Sequence, residues 1–299
     1  MTTSADVTVA LATAAEVPDL DAEGQLLVRC LEELRVRAVP AVWDDPDVRW
    51  RDFDLVVVRS TWDYPTRLTE YLSWAERVSS TTVLMNSAAL LAWTTDKNYL
   101  RVLEGAGVPI VPSAILNPGA APEHEYLGHE HVVKPTVSAG SKDTLRLGPD
   151  EDSRSIQHTR ALLQQGRGVL IQPYLRDVDT TGETALVYVD GVFSHATSKA
   201  AILRRGAGLV EGLFAEEVLS PRTATDAELD VGGRAIAAVP TGDGHPPLYA
   251  RVDLLPAADG PRVLELELAE PSLFLQHHDG AAQRLAQAIR QRADSTRGQ

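Results

Sequence analysis

The chain has 299 residues, of which 44 % are hydrophobic, so it is long enough to bury the cores of two or three packed units. Its formal net charge is −14, and a chain this acidic lacks the basic face that nucleic-acid binding requires. No apolar run approaches the roughly 18 residues of a membrane span, and the first residues lack the features of a secretory signal. We therefore expect a cytoplasmic protein with no nucleic-acid or membrane partner, and homo-oligomerisation is left open.

Lysine is unusually rare in this chain. Four of the 28 basic residues are lysines and the rest are arginines. Because arginine serves wherever a solvated positive charge is enough, a lysine that persists indicates a position that needs a compact ammonium group on a flexible stem. A coding bias toward arginine is the alternative. The four lysines are Lys97, Lys134, Lys142 and Lys199, and three of them lie in contexts that suit a phosphate site.

The first ninety residues alternate between short apolar strands and amphipathic helices. The pattern predicts strands at Val7–Ala12, Val39–Trp43, Asp54–Arg59 and Thr82–Met85, and helices at Asp21–Arg35 and Arg67–Val78. This alternation indicates a parallel, doubly wound sheet. No Gly-x-Gly-x-x-Gly turn follows the first strand, and no Gly-x-x-x-x-Gly-Lys-Ser/Thr loop occurs. Cys30, the only cysteine, belongs to the buried face of the first helix, so there is no disulfide framework and a reducing compartment fits.

The rest of the chain has a different character. A helix is expected to begin after Thr95 as N-cap and to end at Gly105 or Gly107. Later strands are predicted at His131–Lys134, Thr144–Leu147, Val169–Tyr174, Thr184–Val189, Val192–Ser198, Leu248–Leu255 and Arg262–Leu268, with helices at 152–165, 224–238 and 280–292. Because strands follow one another directly here, we expect antiparallel α+β structure after the parallel α/β unit. The predicted units are 1–93, 94–174 and 175–299.

The final hairpin carries the strongest chemical signal. Asp253, Glu265 and Glu267 alternate with apolar residues at a period of two, so the three acids share one face. A three-residue loop at 258–260 places residue 253 opposite 265 and residue 251 opposite 267. Three close carboxylates repel one another unless a cation lies between them, and this ligand set suits Mg²⁺ or Mn²⁺. The alternative is a solvated acidic strand face, but Arg251 beside the acids favours a phosphate site.

A second candidate site follows the strand that ends at Lys134. The loop after it is rich in small and hydroxyl-bearing residues and contains Ser138, Gly140 and Ser141. Such a loop lets backbone N–H groups approach phosphate oxygens, whereas Lys142 is expected to face solvent. Many hairpin loops share this composition, which is the structural alternative.

Two further segments are candidates for ligand contacts. Around 171–175, Pro173 interrupts sheet pairing, so exposed backbone groups are able to bind a flat base; an interdomain linker is the alternative. The segment 59–64 follows a buried strand at the edge of an open sheet, where ligands usually bind. The substrate candidates are Arg59, Thr61, Asp63 and, after the hairpin, Ser272.

The histidines are weaker candidates. His124, His129 and His131 resemble a metal cluster, but no fourth ligand is evident and zinc is disfavoured. His277 and His278 follow the acidic strand, where a substrate contact and a helix entry are equally compatible with the sequence.

Taken in order, these features resemble the ATP-grasp superfamily over about 95–275. The family pattern is a lysine that opens a helix, a second lysine on a strand before a Gly/Ser loop, a crossover with an acid or amide, and a late Arg-x-Asp…Glu-x-Glu/Asn set. The resemblance implies an amino-terminal parallel α/β domain followed by two α+β subdomains that clasp a nucleotide.

The resemblance also implies roles for the basic residues. Lys97 and Lys134 would hold ATP phosphates, Lys199 would reach the γ-phosphate, and Arg251 would contact the phosphoryl group being transferred. The loop residues at 138, 140 and 141 would lie along the phosphates.

Further roles follow from the same resemblance. Gln172 would bind adenine together with Tyr174 and Leu175, and Asp179 would bind the ribose hydroxyls. The three hairpin acids would hold two Mg²⁺ ions, with Mn²⁺ as a substitute. The chain departs from the family pattern at Glu267, where many members have asparagine, and at Gln172, which replaces a more usual acid.

Over the whole chain, the segments 17–21, 42–46, 59–64 and 265–274 are similar to a compact ATP-grasp subgroup, the cycloserine-forming cyclo-ligases that act on O-ureido-D-serine. This implies ADP-forming activation of a small amino acid through an acylphosphate, followed by attack of a nitrogen of the same molecule. The alternatives are an intermolecular carboxylate–amine ligase of the same fold and a nucleotide-binding module without catalysis.

Overall fold

The computed structural model describes residues 7–201, 203, 218–242 and 244–297. The strands are β1 Val7–Thr13, β2 Val36–Val42, β3 Leu55–Ser60, β4 Val83–Met85, β5 Ala114–Leu116, β6 His131–Pro135, β7 Leu145–Leu147, β8 Val169–Pro173, β9 Glu183–Val189, β10 Val192–Lys199, β11 Leu219–Arg222, β12 Tyr249–Leu255 and β13 Arg262–Glu267. The helices are α1 Ala22–Glu33, α2 Leu68–Ser79, α3 Ala88–Thr94, α4 Tyr99–Gly105, α5 Asp152–Gln164, α6 Val178–Thr181, α7 Asp226–Ala237 and α8 Ala281–Arg297. None of these described helices combines the length and the apolar character that a membrane span requires.

The amino-terminal sheet is the parallel, doubly wound sheet that the sequence predicts. Its order is β2-β1-β3-β4, and all three pairings are parallel. Helix α1 begins where the Asp21 carboxylate accepts a hydrogen bond from the backbone of Gly24, which satisfies a free N–H group of the first turn. Its buried residues Leu27, Cys30 and Leu31 recur at helical spacing and face the same core as β1 and α8.

The structure corrects the prediction of a single helix that begins after Thr95. Two short helices occupy this region, and Thr95 is the C-cap of α3, with its hydroxyl donating to the carbonyl of Leu91. Helix α4 begins only after Asn98. Between them, the backbone N–H of Lys97 bonds to the carbonyl of Thr136, so Lys97 lies in a link that is tied to the loop after β6.

Two antiparallel sheets follow, as expected from the direct succession of strands. The central sheet has the order β5-β8-β6-β7, and the carboxyl-terminal sheet has the order β11-β10-β9-β12-β13. The sequence pattern did not predict α3, α6, β5 and β11. The two strands have only three and four residues, which are too short to show an alternating pattern.

The register of the β12–β13 hairpin agrees with the prediction, although its cause differs. Asp253 pairs with Glu265 and Arg251 with Glu267, but Leu254 pairs with Val263. Leu264 is therefore an extra residue, and this β-bulge restores the register that a three-residue loop alone was expected to produce.

One hydrophobic core joins both ends of the chain. Val9 and Leu55 of the amino-terminal sheet share it with Val187, Tyr249 and Leu285. Helix α8 thus packs against α1 and β1 of the amino-terminal unit as well as against β9 and β10. The domain boundaries at 93/94 and 174/175 stay predictions.

Candidate active site

The three sheets surround a cavity of about 360 Å³, a volume in the range of small-molecule sites. Trp62 and Tyr64 contribute from the amino-terminal unit, Gln172 from the central sheet, and Arg251 and Asp253 from the carboxyl-terminal sheet. Residues that are distant in sequence therefore meet at one place.

Lys97 and Lys134 lie on one side of this cavity, and both side chains are buried. The Lys97 ammonium group is 2.9 Å from the Glu265 carboxylate and donates to the carbonyl of Ser138 at 3.0 Å. Lys134 is 3.6 Å from the other oxygen of Glu265. Burial lowers the pKa of Lys134, and the nearby Lys97 charge adds to this effect, so the pair favours an anionic neighbour. Lys142 is exposed, as expected.

Lys199 and Arg251 also line the cavity, and both contact Asp253. Arg251 donates to both oxygens of the Asp253 carboxylate at 2.9 Å, and the Lys199 ammonium group is 3.0 Å from it and 3.0 Å from Glu183. Arg251 also bonds to Glu267. Burial alone would raise the pKa of Asp253, but the two cations hold it below its ordinary value. This carboxylate is therefore ionised and oriented.

The three hairpin acids fit a divalent cation by the chemistry of their donor atoms. All are carboxylates that line the cavity, and such oxygen ligands suit Mg²⁺. Burial and the charges of Glu265 and Asp253 raise the pKa of Glu267 to about 7 despite the opposing effect of Arg251, so added positive charge would stabilise its ionised form. Among the described residues, no group of three or more His, Cys, Asp and Glu side chains is gathered as a metal cluster. The metal assignment stays a prediction.

The loop after β6 lines the cavity at Ser138, Gly140 and Ser141. Gly140 and Ser141 both have a φ of 60°, a conformation that turns the backbone sharply and that glycine adopts without strain. Ser138 bonds to the Lys97 ammonium group through its carbonyl and its hydroxyl. The loop and the lysine are thus held together, as a phosphate site requires.

The segment expected to bind adenine lines the cavity at Gln172, Tyr174 and Leu175. Gln172 donates to the Ser113 hydroxyl at 3.0 Å, which orients its amide. Asp179 is not part of the described cavity wall. Its carboxylate instead accepts two hydrogen bonds from Arg146 at 3.0 Å and one from the Tyr174 hydroxyl.

Of the four substrate candidates, only Ser272 lines the described cavity. Arg59 is buried in an ion pair with Glu23. The Thr61 hydroxyl contacts that of Tyr71. The carboxylate of the fourth candidate, Asp63, bonds to the Trp43 indole and to Arg67. These three side chains brace the amino-terminal unit.

Trp62, Tyr64, Glu183 and Glu270 also line the cavity, although the sequence analysis gave them no role. The first two alternate with the candidates at 61 and 63, so the segment reaches the cavity through side chains other than the predicted ones. No sequence signal distinguishes Glu183 or Glu270 from a surface acid.

The histidines do not line the described cavity. His278 contacts the Thr197 hydroxyl at 2.8 Å, and its ring lies 4.3 Å from that of His195. His124 and His131 both contact the Ser155 hydroxyl, at 3.0 and 2.7 Å, which explains their proximity without a metal.

The fold of this chain is similar to those of two ligases of known structure. D-alanine–D-alanine ligase from Bacillus anthracis, solved in complex with ATP, aligns with a TM-score of 0.72 at 16 % identity over 99 % of both chains. The ATP-grasp ligase PsnB, solved with a minimal precursor, Mg and ADP, aligns with a TM-score of 0.62 at 20 % identity over 98 % of this chain and 99 % of PsnB. The fold is therefore that of the ATP-grasp ligases, and the predicted fold class is confirmed.

Closer similarity defines the family. The family described as "D-cycloserine synthetase DcsG, N-terminal domain" matches residues 9–86. The cycloserine biosynthesis protein DcsG of Streptomyces lavendulae is 37 % identical over 298 residues, covering 95 % of this chain and 98 % of that protein. The crystal structure of D-cycloserine synthetase DcsG aligns with a TM-score of 0.88 at 35 % identity, over 96 % of this chain and 99 % of that one. The chain belongs to the DcsG family of ATP-grasp ligases, and the predicted enzyme class is confirmed.

Proposed function

We propose that this protein is an ADP-forming cyclo-ligase that closes O-ureido-D-serine to D-cycloserine. Membership of the DcsG family supports the substrate, and one structural observation supports the chemistry. Lys97, Lys134, Lys199 and Arg251 converge with buried carboxylates on a single cavity. Such a concentration of positive charge in an acidic chain fits the transfer of a phosphoryl group.

The proposed reaction balances in three steps. The substrate carboxylate attacks the γ-phosphorus of ATP, and ADP leaves from that phosphorus, which gives an acylphosphate. The nitrogen bonded to oxygen then attacks the carbonyl carbon, phosphate leaves, and the nitrogen loses its proton. Water removes the carbamoyl group from that nitrogen. In total, O-ureido-D-serine, ATP and water give D-cycloserine, ADP, phosphate and carbamic acid.

In this proposal the basic residues bind and orient the phosphates. Lys97 and Lys134 hold the triphosphate with the loop at 138–141, and Lys199 and Arg251 neutralise charge on the transferred group. Because these side chains already make ion pairs with cavity acids, they are held close to the positions that the reaction requires. Gln172, Tyr174 and Leu175 would bind the adenine.

The hairpin acids would hold Mg²⁺, and the proposal includes two ions. When bound, the metal supplies positive charge to the phosphate oxygens. Asp253, Glu265 and Glu267 are the residues that would ligate it, and all three line the cavity. We also place the enzyme in the cytoplasm, where ATP is available.

Ring closure does not need a pocket for a second amine. A nitrogen in the same molecule has a large effective-molarity advantage over a free amine. The enzyme has to fold the substrate and keep water from the acylphosphate. The aromatic and apolar wall at Trp62, Tyr64 and Leu268 suits this task.

The test combines ADP release with product mass. Enzyme, Mg-ATP and O-ureido-D-serine should release ADP and yield D-cycloserine, whereas O-ureido-L-serine should release far less. If ADP is released only when a separate amine is added to an amino acid, the protein is an intermolecular ligase and the proposal fails.

A further inference from the structure

Glu270 is a buried acid at the junction between the amino-terminal unit and the acidic hairpin. The residue is 8 % exposed and lines the cavity together with Trp62 and Ser272. Within the ranges that the structure describes, no side chain or backbone group forms a hydrogen bond or an ion pair with the Glu270 carboxylate. A buried carboxylate in this condition is costly unless a cation reaches it.

The other acids of the described cavity wall differ in this respect. Glu183 and Asp253 each lie 3.0 Å from Lys199, Glu265 lies 2.9 Å from Lys97, and Glu267 bonds to Arg251. The wall therefore presents five acids and four cations, and Glu270 is the acid that forms no ion pair with a described residue, although the charges of Lys97 and Arg251 act on it from a greater distance. A ligand that carries one positive charge would complete the set.

The backbone around Glu270 is unusually well fixed. Four consecutive carbonyl groups, at positions 269–272, accept hydrogen bonds from the side chains of Tyr249, Trp62, Arg59 and Arg251 at 2.8 to 3.3 Å. These donors come from both the amino-terminal and the carboxyl-terminal sheets or the loops that follow them. The carboxylate is thus presented from a rigid segment, which reduces the entropy lost when a ligand binds.

Glu270 lies close to aromatic side chains of the amino-terminal unit. The Trp62 indole donates to the Glu270 backbone carbonyl at 3.2 Å, and Trp62, Tyr64 and Glu270 all line the cavity. After burial, Glu270 is the largest cause that raises the pKa of Tyr64 and of Tyr71. An ammonium group placed there would meet a carboxylate and aromatic ring faces, and both attract cations.

We propose that Glu270 binds the α-ammonium group of the amino-acid substrate, while Arg251 receives the substrate carboxylate. The two groups are suited to one zwitterion, because the Arg251 guanidinium bonds to the carbonyl of Ser272, two residues after Glu270. The inference rests on the proposed amino-acid substrate and identifies the residue that recognises it. It also gives a function to a buried acid. Burial and the charge of Glu267 raise the Glu270 pKa well above its ordinary value, and a bound ammonium would oppose that shift.

The experiment compares O-ureido-D-serine with its desamino analogue, 3-(ureidooxy)propanoate. Dissociation constants are measured by calorimetry in the presence of Mg and a non-hydrolysable ATP analogue. Wild type should bind the amino acid about 10- to 100-fold more tightly than the analogue, as expected for a charge-assisted hydrogen bond. Glu270→Gln should bring this ratio close to one, and Glu270→Asp, which keeps the charge on a shorter arm, should give an intermediate ratio.

The matched control is Asp259→Asn, at an exposed acid on the turn of the same hairpin, which should keep the wild-type ratio. Thermal unfolding checks that each variant is folded. If the Glu270→Gln variant does not fold, the ratio measured for the Glu270→Asp variant tests the proposal. If wild type converts O-ureido-D-serine but both Glu270 variants keep full discrimination, the role of Glu270 is refuted while the proposed function stands. If wild type neither binds nor converts this substrate, the proposed function itself fails and the inference fails with it.

Discussion

Asp253 lies at the centre of the charged cavity, bonded to both Arg251 and Lys199. Its position on β12 opposite Glu265 follows from the bulged hairpin register. The side chain thus orients two cations in addition to serving as a predicted metal ligand. Loss of its charge should therefore affect catalysis more than folding.

Asp253→Asn should reduce ADP formation by at least about 100-fold, because it removes a proposed metal ligand and disorients Arg251 and Lys199. A steady-state ADP assay at saturating Mg²⁺ measures this effect, and Glu265→Gln should behave in the same way. Asp259→Asn, on the turn of the same hairpin, serves as the control. Turnover like that of wild type in either cavity variant would exclude that residue from the site.

The lysines allow a second comparison at this scale. Lys134→Ala and Lys199→Ala should raise the KM for ATP or lower kcat by about 100-fold or more, since each removes a buried cavity charge that is proposed to contact the phosphates. Lys142→Ala removes an exposed charge and should change either constant less than about threefold. The prediction is wrong if the Lys142 variant proves the most impaired.

At the scale of elements, the end of β10 depends on a glycine. Gly182 has a φ of 75°, and a Cβ atom there would lie 2.5 Å from the carbonyl oxygen of Lys199. Since Lys199 lines the cavity, a shift of this strand end would move a residue of the proposed phosphate site.

Gly182→Ala should lower the free energy of unfolding by more than about 2 kcal/mol and raise the KM for ATP, because it adds a clash with β10 to the penalty for positive φ. Gly166→Ala is the matched control, with a φ of 76° and open space around the added Cβ. It should lose only about 1 kcal/mol and keep the KM of wild type. Equal effects in urea unfolding and ATP kinetics would argue against the role of the contact.

His195 links β10 to the segment before α8 through a hydrogen bond to the carbonyl of Leu273 at 2.7 Å. Burial lowers its pKa from the ordinary 6.5 to about 4, with His278 and Arg284 adding to the effect. The unfolded chain therefore takes up a proton at a higher pH than the folded chain. Stability is complete above about pH 6.5 and falls as the pH decreases toward 4.

Protonation of His195 should lower the free energy of unfolding by about 3 kcal/mol at pH 4, a value that follows from the difference between its folded and unfolded pKa. His195→Gln, which keeps a donor for Leu273, should flatten the dependence of unfolding free energy on pH between 6.5 and 4. His245→Gln, at an exposed position, should leave the slope unchanged. Parallel curves for wild type and the His195 variant would contradict the assignment.

At the scale of the whole molecule, the two ends of the chain form one structural unit. The buried Asn86 amide donates to the carbonyls of Tyr249 and Leu268 and accepts from the backbone of Leu248. Together with the core that joins β1, β12 and α8, these bonds connect the amino-terminal sheet to the acidic hairpin.

Asn86→Ala should destabilise the protein by about 2–4 kcal/mol, because buried backbone groups lose their partners. Chemical denaturation followed by fluorescence measures the change, and Asn117→Ala, at an exposed position, is the control. If the Asn86 variant unfolds at the wild-type denaturant concentration, this connection does not hold the units together.

The sequence by itself determined the features that depend on local periodicity. Strand–helix alternation predicted the parallel sheet, and period-two acids predicted the shared face of Asp253, Glu265 and Glu267. Lysine scarcity singled out Lys97, Lys134 and Lys199, which all line the cavity. The two periodicity signals are reliable because backbone geometry alone decides which side chains share a face.

Only the tertiary structure decided which partners meet across long sequence distances. It paired Asp179 with Arg146 and buried Arg59 against Glu23. It also placed Glu270 in the cavity without an ion pair to any described residue. A bulge in the β12–β13 hairpin, which the sequence did not predict, produces the predicted register. The physical reason is that periodicity specifies the face of a strand or helix, whereas the packing of three sheets specifies what that face contacts.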